Sequence, residues 1–339
     1  MKLTTRRVAQ TSLRLPTLGF GAAPLGGLFD AVDEAQAAEA LTNALADGMS
    51  YVDTAPFYGF GRSERRVGDQ LRGQTYQLST KVGRLLAPGA LPDSAAMGWP
   101  DALPFHPVYD YSYDGIMRSF EDSLQRLGLD RIDILYVHDI GEMTHGAENH
   151  GHFKDLATSG YRALDELRSS GRVKAIGLGV NETEACLAAL EIGDWDVFLL
   201  AGRYTLLEQG PLDDLFPKCA AKSISVVVGG PFNSGILVGG DTWNYGAAPE
   251  HILQRVRDLS DVCLGFDVPL PAAALQFPLG HDVVCSVIPG LRNPKELADT
   301  TDWVTRTIPE EFWQDLRNRD LLHPDAPVPT SAPFFEATS

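Results

Sequence analysis

Apolar residues in this chain gather in short runs that stop abruptly on a polar side chain, and segments of helical period lie between the runs. The stretch YVDTAPFY at 51–58 sets the pattern. It alternates like a buried strand through Asp53, then breaks at Pro56 into a loop that carries Tyr58. QLSTKV ends in the same way with Lys81, and RIDILYVHD with His138. Polar groups at such strand ends sit at the mouth where parallel α/β folds place their chemistry.

Extended to the whole chain, the pattern predicts strands near residues 20, 53, 79, 135, 176, 198, 226 and 285, each followed by at least one helical segment. Asp33 reads as the N-cap of a helix running from Glu34 to Asp47 and stopped by Gly48. Ile116, Phe120, Leu124 and Leu127 form one apolar stripe on a helix from Ser112, ended by Gly128. Eight strand and helix units without a break in composition predict an α/β fold, a (β/α)8 TIM barrel spanning residues 1–324. Weak alternation over residues 8–23 suggests a hairpin leading into the first strand. Three long loops are expected: residues 84–110, a Gly- and His-rich segment after His138, and a segment holding Phe232, Trp243 and Tyr245. Loops of that length in a compact fold are usually functional. The Pro- and Ser-rich tail, residues 325–339, either drapes over the barrel or is disordered, and Phe334 and Phe335 favour docking.

A chain of 339 residues, 44% hydrophobic and 22% charged, has enough apolar material for one large core. Its net charge of −17 argues against nucleic acid or an anionic membrane as partner. Cys186, Cys219, Cys263 and Cys285 show no CxxC or Cys/His spacing and read as buried thiols in a reducing compartment. No signal peptide or long apolar run is evident, so a cytoplasmic protein, monomeric or weakly homo-oligomeric, is expected.

In a barrel the ends of strands two, three and four are neighbours, so Asp53, Lys81 and His138 can converge on Tyr58. A phenol is a poor acid or base at neutral pH; an ammonium beside it stabilises the phenolate, and a carboxylate keeps that ammonium charged. Such a group exchanges protons with a carbonyl or alcohol oxygen, and a neutral His138 donates a hydrogen bond to the same oxygen. No side chain here moves a hydride, so a carbonyl and alcohol interconversion requires a nicotinamide cofactor. Taken singly, each residue has a plainer reading as a turn, cap or solvated group. Their joint placement after three successive strands is what favours catalysis.

These segments resemble the aldo-keto reductases over nearly the whole chain: DTAPFYG at 53–59, STK in strand three, SFEDSLQRLGLDRIDILYVHD, GYRALDELRSSGRVKAIGLGVN, and VIPGLRN at 287–293. The resemblance implies a catalytic tetrad of Asp53, Tyr58, Lys81 and His138, and an extended NAD(P)H bound without a Rossmann GxGxxG motif. It implies nicotinamide contacts at Asn181 and Tyr204. The pyrophosphate falls near Gly230, Phe232, Gly235 and Leu237, and the adenosine near Pro289, Gly290, Arg292, Asn293, Glu296 and Thr300. Two positions depart from the family pattern. GVN replaces the Ser-Asn that many members carry after strand five, and Ala201 stands where a glutamine is usual. Glu296 occupies a position where many NADP-dependent members place an arginine, which favours NAD over NADP, with Arg292 pulling the other way. YDYSYDGIMRS, HDIGEMTHG, GGPFNSGIL and WNYG resemble the branch of aldose and fucose 1-dehydrogenases and pyridoxal 4-dehydrogenase. That branch implies oxidation of a hemiacetal to a lactone.

Substrate walls are expected from Phe57 and the long loops, with Trp99, Phe105, His106, Tyr109, Phe232, Trp243 and Tyr245 as candidates, since flat aromatics suit a sugar face or a pyridine ring. Asp139 reads as a cap on the strand end, with contact to substrate as the alternative. His145, His150 and His152 lack metal-ligand spacing, and no metal is expected. A reductase of another small carbonyl, a nucleotide-binding regulatory protein on the same fold, and a phosphate-binding barrel isomerase with GGPFNSG as its anion loop are the rival readings.

Overall fold

Alternation along the strands sorts the side chains into two cores. Tyr51, Ile134, Tyr136, Ala175, Val197, Leu199 and Val227 belong to an inner cluster, while their neighbours Val52, Leu135, Val137, Ile176, Phe198, Leu200, Val226 and Val228 pack outward against the helices. The computed structural model, which describes residues 3–329, thus shows strands buried on both faces, as parallel sheets covered by helices require.

The eight parallel strands are Phe20–Gly21, Tyr51–Asp53, Gln77–Val82, Ile134–His138, Ala175–Val180, Val197–Ala201, Ser225–Gly229 and Val284–Ile288, paired in chain order. The sheet closes into a barrel where the backbone N–H groups of Gly19 and Gly21 donate to the carbonyls of Val287 and Pro289, both at 2.9 Å. Helices Glu34–Ala46, Arg62–Leu71, Tyr113–Leu127, Tyr161–Ser169, Thr183–Ala189, Leu215–Lys222, Glu250–Gly265 with Leu270–Gln276, and Pro294–Thr305 follow the strands in turn. The expected Asp33 cap is present, its carboxylate accepting from the Gln36 N–H at 2.9 Å. Among the described residues no single helix is long and apolar enough to cross a membrane.

An N-terminal hairpin, Thr5–Arg7 with Arg14–Pro16, floors the barrel. It lies earlier than the alternation at 8–23 suggested, because its turn residues Val8 and Leu13, with Leu15, are the ones buried in the inner cluster. Arg6 fastens it by donating to the carbonyls of Leu279, His281 and Val284 at 2.8, 3.1 and 2.6 Å.

Three expectations need correction. Residues 84–110 are not a plain loop: Arg84–Pro88 and Phe105–Tyr109 form an antiparallel ribbon, with a 3-10 turn at Ser94–Met97 between them. Pro88 and Pro107 masked the ribbon in the sequence; a proline is tolerated in an edge strand, where no partner needs its N–H. The Gly- and His-rich segment after His138 is mostly helical, with Glu142–His145 and Asn149–Asp155 running through Leu156–Gly160 into the next helix. Helix Glu310–Asn318 was not anticipated, although Pro309, two first-turn glutamates and buried Phe312, Trp313 and Leu316 mark it in retrospect. Phe334 and Phe335 lie outside the described residues.

Candidate active site

Inward positions on a strand recur every second residue, so the parity that buries Tyr51, Ser79 and Tyr136 inside the barrel carries on to Asp53, Lys81 and His138 at the mouth. Register confirms the adjacency: Asp53 pairs with Ser79, Lys81 with Tyr136, and His138 with Gly179. All three mouth residues are buried. Lys81 Nζ donates to Asp53 Oδ2 at 2.6 Å and to the Thr54 carbonyl at 2.9 Å. Gly179 keeps the space open, since a Cβ there would come within 3.1 Å of Lys81 Cε.

Tyr58 arrives from the loop after strand two. Gly59 holds a left-handed φ of 62°, and a Cβ on it would collide with the Gly26 carbonyl at 2.2 Å; this close backbone contact seats the loop over the mouth. The Tyr58 ring centre lies 4.6 Å from Lys81 Nζ and 5.8 Å from the His138 ring, which meets it edge-on. The geometry therefore gathers Asp53, Tyr58, Lys81 and His138.

Burial raises the Tyr58 phenol well above its ordinary range, helped by Asp53 and Asp139 and opposed by Arg84. His138 is held well below its ordinary value, by burial first and then by the charges of Arg84 and Lys81, so its imidazole is neutral. Burial also raises Asp53, against the pull of Lys81 and a hydrogen bond from Ser79. A neutral phenol, a neutral imidazole and an ammonium form a set of donors able to bind one oxygen and exchange a proton with it.

A cavity of about 520 Å³ runs from Asp53 and Tyr58 across the barrel mouth to Arg292, Glu296 and Thr300. Asn181, Gly230, Phe232, Gly235 and Gly290 also line it. Tyr204 does not: its ring is buried among Phe216 and Phe277 at 4.6 and 5.3 Å, and its neighbour Arg203 faces the cavity instead. Leu237 is buried in the outer core. Pro289 spends its carbonyl on barrel closure, and Asn293 caps the last barrel helix by accepting from the Glu296 N–H at 2.9 Å.

Of the aromatic candidates, Phe57 and Trp99 stand beside Tyr58 and His138, with ring centres 5.8 to 6.0 Å apart. Phe105 packs into the same cluster. Tyr109 meets His145 edge-on at 4.8 Å, and Tyr245 lines the cavity opposite Phe29. His106 and Trp243 are turned to other tasks. His106 is half-buried and bonds the Gly89 carbonyl, and Trp243 donates to Glu208 at 2.8 Å.

The sequence reading missed three charged residues. Arg84 lies 4.3 Å over the Phe57 ring and pairs with Asp139 at 2.8 Å. Asp139 was expected to cap its strand; it holds this guanidinium instead, and its carboxylate is also 3.4 Å from His138 Nε2. Arg203 donates to the Asn181 carbonyl and to Glu208, and Glu208 also receives Asn233 and Trp243. Such long-range pairings leave no periodic signal. Rings of His145 and His152 lie 4.3 Å apart, but no three His, Cys, Asp or Glu side chains gather to hold a metal among the described residues.

The profile of the Aldo/keto reductase family matches residues 17–320. The chain is 44% identical to pyridoxal 4-dehydrogenase of Microbacterium luteolum, covering 94% of this chain and 97% of that protein. It is 37% identical to D-threo-aldose 1-dehydrogenase of a Pseudomonas species, covering 95% and 99%. Among solved structures, the holo form of an aldo-keto reductase from Bacillus halodurans superposes with a TM-score of 0.71 at 26% identity, covering 93% of this chain and 96% of that one. The chain belongs to the aldo/keto reductase family and is an NAD(P)-dependent oxidoreductase that acts on a small molecule.

Proposed function

We propose that this enzyme oxidises the cyclic hemiacetal of pyridoxal to its lactone with NAD, and that Asp53, Tyr58, Lys81 and His138 carry the chemistry. The observation carrying the substrate assignment is the 44% identity to a pyridoxal 4-dehydrogenase across nearly the whole of both chains. An aldose 1-dehydrogenase is the second reading, on the 37% relative.

The cavity suits an extended dinucleotide. Gly21, Gly229, Gly230 and Gly290 let backbone approach a ligand closely, Phe232 and Trp303 offer flat faces, and the buried Asn233 Oδ1 has no partner. When bound, the nicotinamide supplies the hydride acceptor. Asn181 and Arg203 would flank it at the Tyr58 end. There His138 donates to the substrate oxygen and orients it, while Tyr58, in its phenolate form, takes the hydroxyl proton and becomes the neutral phenol. Lys81, kept charged by Asp53, offsets the cost of the phenolate. Phe57 and Trp99 would wall the substrate ring, and the buried Trp99 Nε1 and Arg84 Nε, both without a partner, would be satisfied by its oxygens.

NAD is favoured by what Glu296 does to Arg292. One carboxylate oxygen accepts from Arg292 Nε at 2.6 Å and the other from its backbone N–H at 2.9 Å, and Asp30 stands 3.5 Å from the same guanidinium. A 2′-phosphate would have to displace a carboxylate from the arginine, whereas a ribose diol could donate to it. Glu296→Gln frees Arg292 and is expected to move the NADP to NAD ratio of kcat/KM upward roughly tenfold. An unchanged ratio would remove Glu296 as the selector.

Absorbance of reduced nicotinamide, followed with pyridoxal, L-fucose, D-arabinose and L-galactose, tests the substrate. Turnover of pyridoxal alone is expected. Turnover of a sugar alone would transfer the assignment to the aldoses, and silence on all four with cofactor bound would refute both.

A further inference from the structure

Directly beneath the mouth lies a second layer of polar side chains that the chemistry above does not use. Tyr51, Ser79 and Tyr136 stand two residues before Asp53, Lys81 and His138 on the same three strands, and all are fully buried. They are linked: Ser79 Oγ is 2.7 Å from Asp53 Oδ1, Tyr51 Oη is 3.0 Å from Ser79 Oγ, and Tyr136 Oη is 3.2 Å from Tyr51 Oη. Most inner-cluster neighbours are aliphatic, so three hydroxyls in contact are a costly arrangement unless each is satisfied.

The direction of these bonds follows from counting protons. An ionised carboxylate only accepts, so Ser79 spends its single hydrogen on Asp53. Tyr51 must then donate to Ser79, and Tyr136 to Tyr51. Every hydrogen in the row points toward Asp53. Protonation of Asp53 would cancel the charge that makes it a strong acceptor and so weaken the orientation of the row.

We propose that Tyr136, Tyr51 and Ser79 form a one-way donor row that locks Asp53 in its ionised state, making Ser79 a positioning residue for the Lys81 and Tyr58 pair. The proposal rests on the reading that Asp53, Lys81 and Tyr58 act together in proton transfer. Lys81 satisfies Asp53 Oδ2 from above and Ser79 satisfies Oδ1 from below, so neither oxygen of this buried carboxylate is left bare. The groups facing Asp53 are Lys81 and Ser79 from strand three, Tyr51 from its own strand, Tyr136 from strand four and Tyr58 from the loop, with Cys285 of strand eight near the two phenols. Burial holds both phenols of the row neutral, the form able to donate. The row ends at Tyr136 inside the barrel, so it fixes a charge and does not conduct a proton to solvent.

The test is the pH profile of kcat/KM for Ser79→Ala, Ser79→Thr and Tyr136→Phe, with Tyr58→Phe as control. Without the Ser79 donor, Asp53 protonates more readily, and the acid limb of the profile is expected to move up by about one pH unit. Ser79→Thr keeps the hydroxyl and should restore the limb. Tyr136→Phe, which keeps the ring, should give a smaller shift in the same direction. A Ser79→Ala limb at the wild-type pH, even with lower kcat, overturns the proposal. If Ser79→Ala fails to fold, Tyr136→Phe decides, and its unmoved limb also overturns it. An inactive Tyr58→Phe beside an unmoved limb sinks this proposal alone, whereas an active Tyr58→Phe sinks the underlying reading and this proposal with it.

Discussion

Replacing Tyr58 by phenylalanine is expected to lower kcat by roughly 10²- to 10⁴-fold, the range for loss of a positioned acid or base, while cofactor affinity, measured by quenching of tryptophan fluorescence, stays close to wild type. The ring that packs against Trp99 and His138 remains, and one oxygen is lost. The pH dependence should change with it. Because burial raises the phenol, the fraction of basic Tyr58 grows as the pH rises, so wild-type oxidation should accelerate into the alkaline range. The residual activity of Tyr58→Phe should lack that rise. Undiminished turnover in the variant would remove Tyr58 from the mechanism.

Lys81→Met is expected to damage both stability and activity. The methionine fills a similar volume but leaves the buried Asp53 carboxylate without its counter-charge, and breaking a buried pair on one side costs about 3–5 kcal/mol. Denaturant unfolding should show a lower midpoint with an unchanged slope. Asp53→Asn combined with Lys81→Met removes the stranded charge, so the double variant should recover much of the stability and none of the activity. If the single variant is as stable as wild type, the ion pair is not a net contributor to the fold.

The barrel and the convergence of its mouth residues were legible because both rest on short-range regularities. Alternation marks a strand, and a polar residue where alternation stops marks its end; Asp53, Lys81 and His138 each sit at such a stop. Tyr58 was legible through Pro56, which breaks the strand pattern into a loop. The Arg84 ribbon was hidden by its prolines, and the Gly- and His-rich helices by residues of weak propensity that tertiary packing overrides. Arg203 and Glu208 were missed because they pair with each other inside an irregular loop and their other partners, Asn181, Asn233 and Trp243, lie far away in sequence, where periodicity carries no information. Tyr51, Ser79 and Tyr136 were visible as ordinary strand residues; only the barrel's register brings their hydroxyls into one row.

The Arg84–Tyr109 ribbon pairs only with itself among the described strands, and it is closed at its base by the Asp110 N–H on the Gly83 carbonyl at 3.0 Å. Between those two residues the chain can be lengthened, shortened or exchanged without touching a single rung of the barrel. The same segment delivers Arg84, Trp99 and Tyr109 to the neighbourhood of Tyr58. On the proposed function, substrate range can therefore drift in evolution, or be grafted from a relative, as a cassette whose splice points are Gly83 and Asp110, while Asp53, Tyr58, Lys81 and His138 lie outside it and are inherited unchanged.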